Sequence, residues 1–444
     1  MPQPQDVGAR RQARSARAPS YALAGFFAIV GFLPANWLVR VPDVKDQVAA
    51  TAGELGLALL CGSIGGLAAT FAAGRLCVRF GTRRVLVVAA TLLSTVLVLP
   101  ALAISPPTLG AALVGFGVSQ ATFNIALNST AVEVAMDSGN PLMPGLHGIF
   151  SVGGLAGAAT GGYAAAHLSP AVHLGLTAAL GLLATIWCGT ILLRSVRSYA
   201  GKPDRAVPGT TTSADAGTDA GDSAPTDTGT DTGTDTGTEP VAGRKEWRAV
   251  RWVVLLFGVV AACTAFSEYA NNNWAALHLR EDLGASAAVA GYGYAAYAGA
   301  IAAGRFAGAF LIRRLGDTTV LAGGFAVAGV GMLVAAWAGQ LPGGLPLAFG
   351  AYVVVGAGLA NVYPLAISRG GLLGGPRGVS RVSMIAGLGV LSQAPVIGFL
   401  ADRAGLPAAL SSVVVLTAVG CSLALALRFA IVPTTRPQAA KSPA

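Results

Sequence analysis

The chain has 444 residues, of which 54% are hydrophobic and only 11% are charged. Soluble domains average roughly 25% charged residues, so this composition excludes a water-soluble fold and predicts an all-α membrane protein. The formal net charge of +9 comes from short basic clusters between apolar runs. No basic face is interleaved with aromatic residues, so nucleic-acid binding is not indicated. The five cysteines form no metal-ligand motif, and we expect neither metal nor cofactor.

Apolar runs long enough to cross a bilayer, about 20 residues each, predict six helices before the polar stretch 195–247 and six after it. The first run, Tyr21–Val39, follows four arginines like a signal peptide. It lacks a convincing small-residue cleavage site and precedes further spans, which favours a retained helix. The other runs lie near 55–73, 85–104, 109–132, 149–166, 172–193, 252–277, 287–303, 320–338, 345–367, 384–400 and 406–427.

These runs predict a basic tail at 1–19, six-helix bundles at 20–195 and 248–432, a disordered linker at 196–247 and a tail at 433–444. The linker repeats Asp-Thr-Gly-Thr without apolar periodicity, so it cannot bury enough surface to fold. A plain tether is favoured over a regulatory segment, because compositional repeats carry no specific chemistry.

Lysine and arginine positions predict the orientation in the membrane, because cytoplasmic loops carry an excess of both. With a cytoplasmic N-terminus, all but four of the 29 lie on the cytoplasmic side. The exceptions are Arg40, Lys45, Arg280 and Arg403. We therefore expect both termini and the linker to be cytoplasmic, in a multi-pass protein of the cytoplasmic (inner) membrane that works as a monomer.

The two predicted bundles repeat short motifs at corresponding places. Ala-Ala-Gly-Arg ends the second helix at Arg75 and the eighth at Arg305, and Asn-Trp occurs at 36–37 and 273–274. Duplication of a six-helix unit is typical of transporters whose halves rock about a central site.

The segment 74–84, Gly-Arg-Leu-Cys-Val-Arg-Phe-Gly-Thr-Arg-Arg, resembles the signature of the major facilitator superfamily between helices 2 and 3. The resemblance implies two six-helix bundles with pseudo-two-fold symmetry, and a gating role for Arg75, Arg79 and Arg83. Val78 stands where the superfamily commonly has Asp, which removes an acid that helps to lock the cytoplasmic side.

Longer matches are similar to the fucose-permease-like branch of that superfamily. They comprise Asn124–Asn128, Glu133, Gly139–Met143, His147, Ser151–Gly154, Trp274–Arg280 and Leu400–Leu406. The resemblance implies transport of a small solute. Relatives carry acids where this chain has Asn124 and Asn273, so proton coupling would need Glu268 or another route, or the protein is a facilitator.

Glu268 is the acid that lies well inside an apolar run, where an unpaired carboxylate is costly. It is a candidate both for proton coupling and for accepting hydrogen bonds from a substrate. The structural alternative is an acid paired with a donor on a neighbouring helix. Asn272 shares its face at i+4 and Asn273 follows, although consecutive asparagines can also mark an unwound helix end.

Helix 4 carries a polar stripe of Gln120, Asn124 and Asn128 at four-residue spacing on an otherwise apolar helix. Amides on a cavity wall suit a polyhydroxylated or amide-bearing substrate. Polar contacts between helices are the alternative for each single member.

The remaining candidates are weaker. Arg40 and His147 are interpreted as interface or gate residues, and Glu133 as a partner of loop arginines in the inner gate. Arg305 joins the gating set through the repeated motif. Further substrate-binding candidates are Asn36, Trp37, Tyr294, Tyr297, Asn361 and Gln393, for which packing or interfacial anchoring is the alternative.

Together these features predict a secondary transporter, not an enzyme, that moves a small polar solute such as a sugar by alternating access, with protons as a candidate coupling ion. An exporter of drug-like compounds is the alternative. Gly157-Ala158 speaks against it, because drug antiporters have Gly-Pro at this place. A receptor would predict a folded signalling domain. No P-loop is present, which excludes ATP hydrolysis by this chain.

Overall fold

The computed structural model describes residues 4–138, 142–199 and 241–429. Within these residues the chain forms twelve α-helices and no strand, and short 3-10 turns follow α3, α9 and α12. The helices are α1 Pro4–Gln47, α2 Ala52–Phe80, α3 Thr82–Val96, α4 Pro106–Ser138, α5 Met143–His167, α6 Pro170–Tyr199, α7 Val241–Glu281, α8 Ala287–Leu315, α9 Asp317–Trp337, α10 Gly344–Leu359, α11 Val362–Ala404 and α12 Leu406–Ala426.

Eleven stretches of the described chain are long and apolar enough to cross a membrane. Gly375 has φ of 58° and divides α11, because a positive φ interrupts a right-handed helix. When α5 is counted as the fifth span, the tenth span is therefore Gly344–Gly375 and the eleventh Arg377–Ala404. The Gly-rich helix α5, with 25 residues, completes the set of twelve, and the predicted all-α membrane fold is confirmed.

Some predicted segments lie outside the described residues. These are 1–3, 139–141, the central part of the linker at 200–240 and the tail from 430 onward. At the margins of the predicted linker, α6 continues to Tyr199 and α7 begins at Val241.

We call the end of the molecule that carries Tyr199 and Val241 the linker end, and the opposite end the far end. Since α1 and α7 each cross once, α1 reaches the far end at Gln47 and α7 reaches it at Glu281. The N half, α1–α6, and the C half, α7–α12, meet mainly through two helix pairs, α2 with α11 and α5 with α8, and less extensively through α1 with α7 and α8.

The face of α2 that points toward α11 shows how the halves diverge. At the far end, Gly53 and Gly56 lie so close to α11 that neither has room for a side chain. Farther along the same face, Phe71 is 70% exposed and Val78 is 90% exposed. The two helices are therefore in contact at the far end and apart at the linker end.

The facing side of α11 changes in the same way. Ala394 and Gly398 pack against the backbone of α2. Toward the linker end, Leu388 and Met384 are 62% and 68% exposed.

The pair α5 and α8 follows the same trend. A Cβ atom on Gly291 would lie 2.5 Å from the Cα atom of Gly162, so the two backbones touch at the far end. Near the linker end, the ring of Phe306 lies between the helices, 3.2 Å from a Cβ atom built on Gly148. The two halves thus enclose a wedge that opens toward the linker end.

Candidate functional site

The acid of α7 lies beside a cation of α8. Glu268 accepts a hydrogen bond from Arg305 through Oε2 at 3.3 Å, and its own side chain is mostly buried. Its second oxygen, Oε1, is buried without a hydrogen-bond partner in the described part of the chain. The pair balances one negative charge with one positive charge and leaves one acceptor oxygen unused.

Two tyrosines of α8 extend this site. The hydroxyl of Tyr297 donates to the backbone carbonyl of Glu268 at 3.4 Å. The ring centroids of Tyr294 and Tyr297 are 6.5 Å apart. The structure therefore brings four of the predicted residues together: Glu268, Tyr294, Tyr297 and Arg305.

The polar stripe of α4 is half-buried. The amide nitrogen of Asn124 donates to the carbonyl of Gln120 at 3.0 Å, and that of Asn128 donates to the carbonyl of Asn124 at 2.8 Å. Oε1 of Gln120 is buried and has no partner among the described residues. These bonds satisfy part of each amide within its own helix, so the side-chain oxygens are the groups available to another molecule.

The structure places Asn36 and Trp37 away from the Glu268 pair. Asn36 is 1% exposed and hydrogen-bonded to His173 of α6 at 2.9 Å. Trp37 is buried in an apolar cluster to which both halves contribute. Both side chains are thus buried, and Asn36 is satisfied by α6.

The asparagines after Glu268 differ in burial. Asn272 and Asn273 are half-buried. Asn271 is buried, donates to the carbonyl of Ser267 at 2.8 Å and leaves its Oδ1 without a partner in the residues described. α7 stays helical through this triplet to Glu281, so it does not mark an unwound end.

Asn361 and Gln393 occupy different surroundings. Asn361 sits where the tenth span breaks between α10 and α11, and its amide donates to the carbonyl of Gly304 in α8 at 2.8 Å. Gln393 of α11 is completely buried, and neither of its polar atoms has a hydrogen-bond partner in the described chain. Such a buried amide is costly unless water or a ligand satisfies it.

The predicted gating residues lie at the linker end. Arg75 is exposed and donates to the carbonyl of Phe71 in its own helix at 3.4 Å, and Arg79 stacks over the ring of Phe80 at 5.4 Å. Arg83 lies in the first turn of α3. The exposed His147 makes an edge contact with the ring of Phe27, with centroids 5.5 Å apart.

The two halves use different side chains at equivalent places of the linker end. In the N half, Thr82 at the start of α3 donates to both carboxylate oxygens of Glu133 in α4, at 2.8 and 3.0 Å. In the C half, Asp317 at the start of α9 forms an ion pair with Arg369. Each contact joins helices of the same half.

Ion pairs join the two halves at the far end. Arg280 of α7 pairs with Asp43 and lies 3.7 Å from Asp46, both in α1. Lys45 of α1 donates to Glu281 of α7 at 2.6 Å. The sequence argument found Arg40 here and missed these carboxylates; the signal was opposite charges at the ends of two symmetry-related helices.

A carboxylate from the C half also caps a helix of the N half. Asp402 accepts a hydrogen bond from the backbone N–H of Gly53 at 2.9 Å and from the hydroxyl of Thr51 at 3.1 Å. A negative charge is stabilised at a helix N-terminus. The contact adds to the closure of the far end.

Asp282 lies in the loop after α7. Burial, with a smaller contribution from the charge of Glu281, raises the pKa of this carboxyl to about 6. Its Oδ2 atom is 3.9 Å from Nε2 of His278. This acid therefore changes charge near neutral pH, next to the ion pairs that join the halves.

Comparison with known families and relatives shows which proteins this chain resembles. The model of the Major Facilitator Superfamily matches residues 20–368 and 257–444. An uncharacterised MFS-type transporter of Yersinia pestis is 29% identical over 393 residues, covering 88% of this chain and 91% of that protein. The membrane protein MosC of Rhizobium meliloti is 26% identical over 415 residues, covering 92% of this chain and 89% of that protein.

Solved structures show the same fold. The nucleoside transporter NupG superposes with a TM-score of 0.65 at 12% identity, covering 92% of this chain and 98% of that chain. A bacterial homologue of the human lysosomal transporter Spinster, inward-facing and unoccupied, gives 0.67 at 15% identity, covering 93% and 96%. A D-xylose-proton symporter gives 0.65 at 13% identity, covering 92% and 96%.

Proposed function

The chain belongs to the major facilitator superfamily and is a multi-pass secondary transporter, and we propose that it carries a small, neutral, polar solute such as a sugar. The cycle is alternating access, in which the wedge between the halves opens first at one end and then at the other. The single observation that carries this proposal is the charge-balanced pair of Glu268 and Arg305, with its unused carboxylate oxygen and neighbouring tyrosines.

Charge balance supports the choice of a neutral solute. Glu268 and Arg305 compensate each other, so a charged substrate would leave a net charge in a site of low dielectric constant. The other candidate groups are amides and tyrosines: Gln120, Asn124, Asn128, Asn272, Tyr294 and Tyr297. Amide groups and tyrosine hydroxyls both donate and accept, which matches the hydroxyls of a polyol or the edge of a nucleobase.

Proton coupling follows from the same pair. Glu268 lies near the middle of the span Arg251–Glu281, so a proton that reaches it enters from the wedge. Protonation of Glu268 would weaken its pair with Arg305, and both side chains would then be available to hydrogen-bond the hydroxyls of a substrate. The D-xylose-proton symporter among the structural neighbours supports this coupling only through its fold.

Orientation, assembly and branch are part of the proposal. The basic linker end faces the cytoplasm of the inner membrane with both termini inside, so the wedge corresponds to an inward-facing state. The chain acts as a monomer of the fucose-permease-like branch. Import by proton symport is the proposed direction.

Uptake by proteoliposomes tests the proposal. Purified protein is offered labelled monosaccharides, polyols and nucleosides, with and without an inward proton gradient, and we expect gradient-driven accumulation of at least one. Glu268→Gln should abolish accumulation and keep counterflow exchange, because the amide cannot carry the proton. Glu54→Gln, at an exposed capping position of α2, is the control and should behave as wild type.

Two outcomes would contradict the proposal. Wild-type accumulation by Glu268→Gln would remove Glu268 from coupling. No uptake of any neutral solute, together with gradient-dependent efflux of lipophilic drugs, would favour the drug exporter.

A further inference from the structure

A fully buried arginine connects three helices of the N half at the far end. Arg40 of α1 is 1% exposed. Its two Nη2 protons are donated to the carbonyls of Ala164 and Leu168, at 3.0 and 2.7 Å. These carbonyls lie at the C-terminus of α5, where a cation is favourable; Ala164 also accepts a bond from the N–H of Leu168 at 2.9 Å, so Arg40 adds to the helical bond there.

The same guanidinium binds a histidine of α6. Nε of Arg40 lies 2.8 Å from Nδ1 of His173. Because an arginine N–H can only donate, Nδ1 must accept, and the proton of the neutral imidazole is assigned to Nε2. Nε2 then donates to Oδ1 of Asn36 at 2.9 Å, and Asn36 donates to the carbonyl of Phe32 at 2.9 Å. The imidazole is fixed on both sides.

The remaining nitrogen of Arg40 binds an acid that faces the other half. Nη1 donates to Oδ2 of Asp43 at 2.7 Å. The other oxygen of Asp43, Oδ1, pairs with Arg280 of α7. Asp43 thus shares its carboxylate between a buried cation of its own half and a partly exposed cation of the opposite half.

Separation of the halves at the far end would affect Asp43 and Arg280 differently. Asp43 keeps Arg40, because both belong to α1, and therefore stays charge-balanced. Arg280 loses both Asp43 and Asp46, and only water replaces them. The position of the Asp43 carboxylate is consequently set within the N half, before Arg280 arrives.

We propose that His173 is a positioning residue of the transport cycle: through its Nδ1 acceptor it orients Arg40, which holds Asp43 in place to receive Arg280. It thereby sets how firmly the far end closes. The inference rests on the alternating-access cycle proposed above, but it does not depend on the identity of the solute.

Hydrogen–deuterium exchange of the purified protein, without any substrate, tests this inference. His173→Gln places its amide near the former Nε2, so it keeps the bond to Asn36 and loses the one to Arg40. We expect exchange in segments 43–53 and 395–403 to rise on the order of tenfold, as for loss of one charge-assisted hydrogen bond. Exchange in segment 71–84 at the linker end should fall at the same time.

Two matched variants separate positioning from packing. His173→Asn places its Oδ1 near the former Nδ1, so it keeps the acceptor for Arg40 and should exchange like wild type. His167→Gln changes an exposed histidine of α5 at the same end and should have no effect. Arg280→Gln removes the partner in the other half and leaves the contacts of Arg40 with α5, His173 and Asp43 intact. It should reproduce the faster exchange at the far end and the slower exchange at 71–84, even if His173→Gln does not fold.

The reciprocal change distinguishes this role from a structural one. Faster exchange throughout the N half, without slower exchange at 71–84, would show a loss of packing and overturn the inference. Wild-type exchange in His173→Gln or in Arg280→Gln would overturn it as well. Failure of every solute in the uptake experiment would contradict the proposed function and leave this result standing.

Discussion

The far end and the linker end of this protein hold their helices together in different ways. At the far end, charged side chains cross between the halves, as in the pairs of Arg280 with Asp43 and of Lys45 with Glu281. At the linker end, the contacts of Thr82 with Glu133 and of Asp317 with Arg369 join helices of one half. In the part of the chain that the structure describes, polar contacts within a half thus occur at both ends, whereas the ion pairs between the halves lie at the far end.

This difference explains the shape of the wedge. Polar contacts between the halves can break and re-form when water reaches them, and backbone contacts between glycines need no side chain to move. The balance between open and closed therefore depends on several weak contacts at the far end.

The largest effect is expected from removing the buried cation of the far end. Arg40→Met would remove the donor to His173 and to two α5 carbonyls and would leave Asp43 with Arg280 alone, and breaking a buried ion pair costs about 3–5 kcal/mol. Thermal unfolding of the purified protein should show a large loss of stability. Arg403→Met, which removes an exposed arginine bonded to its own helix, is the control. Equal losses of stability in both variants would contradict the stabilising role assigned to the buried contacts of Arg40.

The next effect is expected from separating the backbones of α5 and α8. Gly291→Val would place a side chain against Gly162, and overpacking costs about 1–3 kcal/mol. Since the clash lies at the far end, solute uptake should fall at least tenfold and exchange of the far end should rise. Gly323→Val in α9, where a Cβ meets nothing within 4 Å, should transport normally, and unchanged uptake in Gly291→Val would contradict the close approach.

A smaller effect is expected from pH. The pKa of Asp282 is raised in the folded protein to about 6, from 3.8, so the folded state favours the protonated form. The resulting penalty is absent below about pH 4, grows as pH rises and is complete above about pH 6. Asp282→Asn should therefore stabilise the protein at pH 7.5 by on the order of 1–2 kcal/mol and have no effect at pH 4. Equal melting shifts at both pH values would contradict this.

The smallest effect is expected at the exposed ion pair. Lys45→Gln removes the partner of Glu281, and such pairs contribute about 0.2–1 kcal/mol. The change in the exchange rate of the far end should be at most a few-fold at low salt and should vanish at 1 M salt, where screening is short-ranged. A salt-independent effect would show that Lys45 acts through packing.

The sequence predicted the twelve helices because hydrophobic length is a local property. It also singled out Glu268 as a candidate, because an acid inside an apolar run is conspicuous. The structure pairs this acid with Arg305 of α8, the kind of neighbouring-helix donor that the structural alternative named, and its role in coupling stays a prediction. The sequence argument made Asn36 and Trp37 candidates for substrate binding; the structure buries both and bonds Asn36 to His173 of α6. Which face of α1 meets α6 depends on tertiary packing, and no local pattern reports it.

His173 shows the opposite case. It lies in the first turn of an apolar helix and belongs to no motif, so nothing local distinguishes it from an interfacial histidine. Its partner Arg40 is 133 residues away in sequence. The break at Asn361 was also missed, because the apolar run continues through 345–367. The positive φ of Gly375 falls in the gap that was predicted between that run and 384–400.

The contact of Asn361 with α8 has a mechanical consequence. Its amide binds the carbonyl of Gly304, and its side chain fills the space where a Cβ of Gly308 would stand. α8 and the broken tenth span are therefore pinned to each other beside Arg305. In the proposed cycle, a tilt of the C half would therefore turn these two helices together, and Arg305 would move with them.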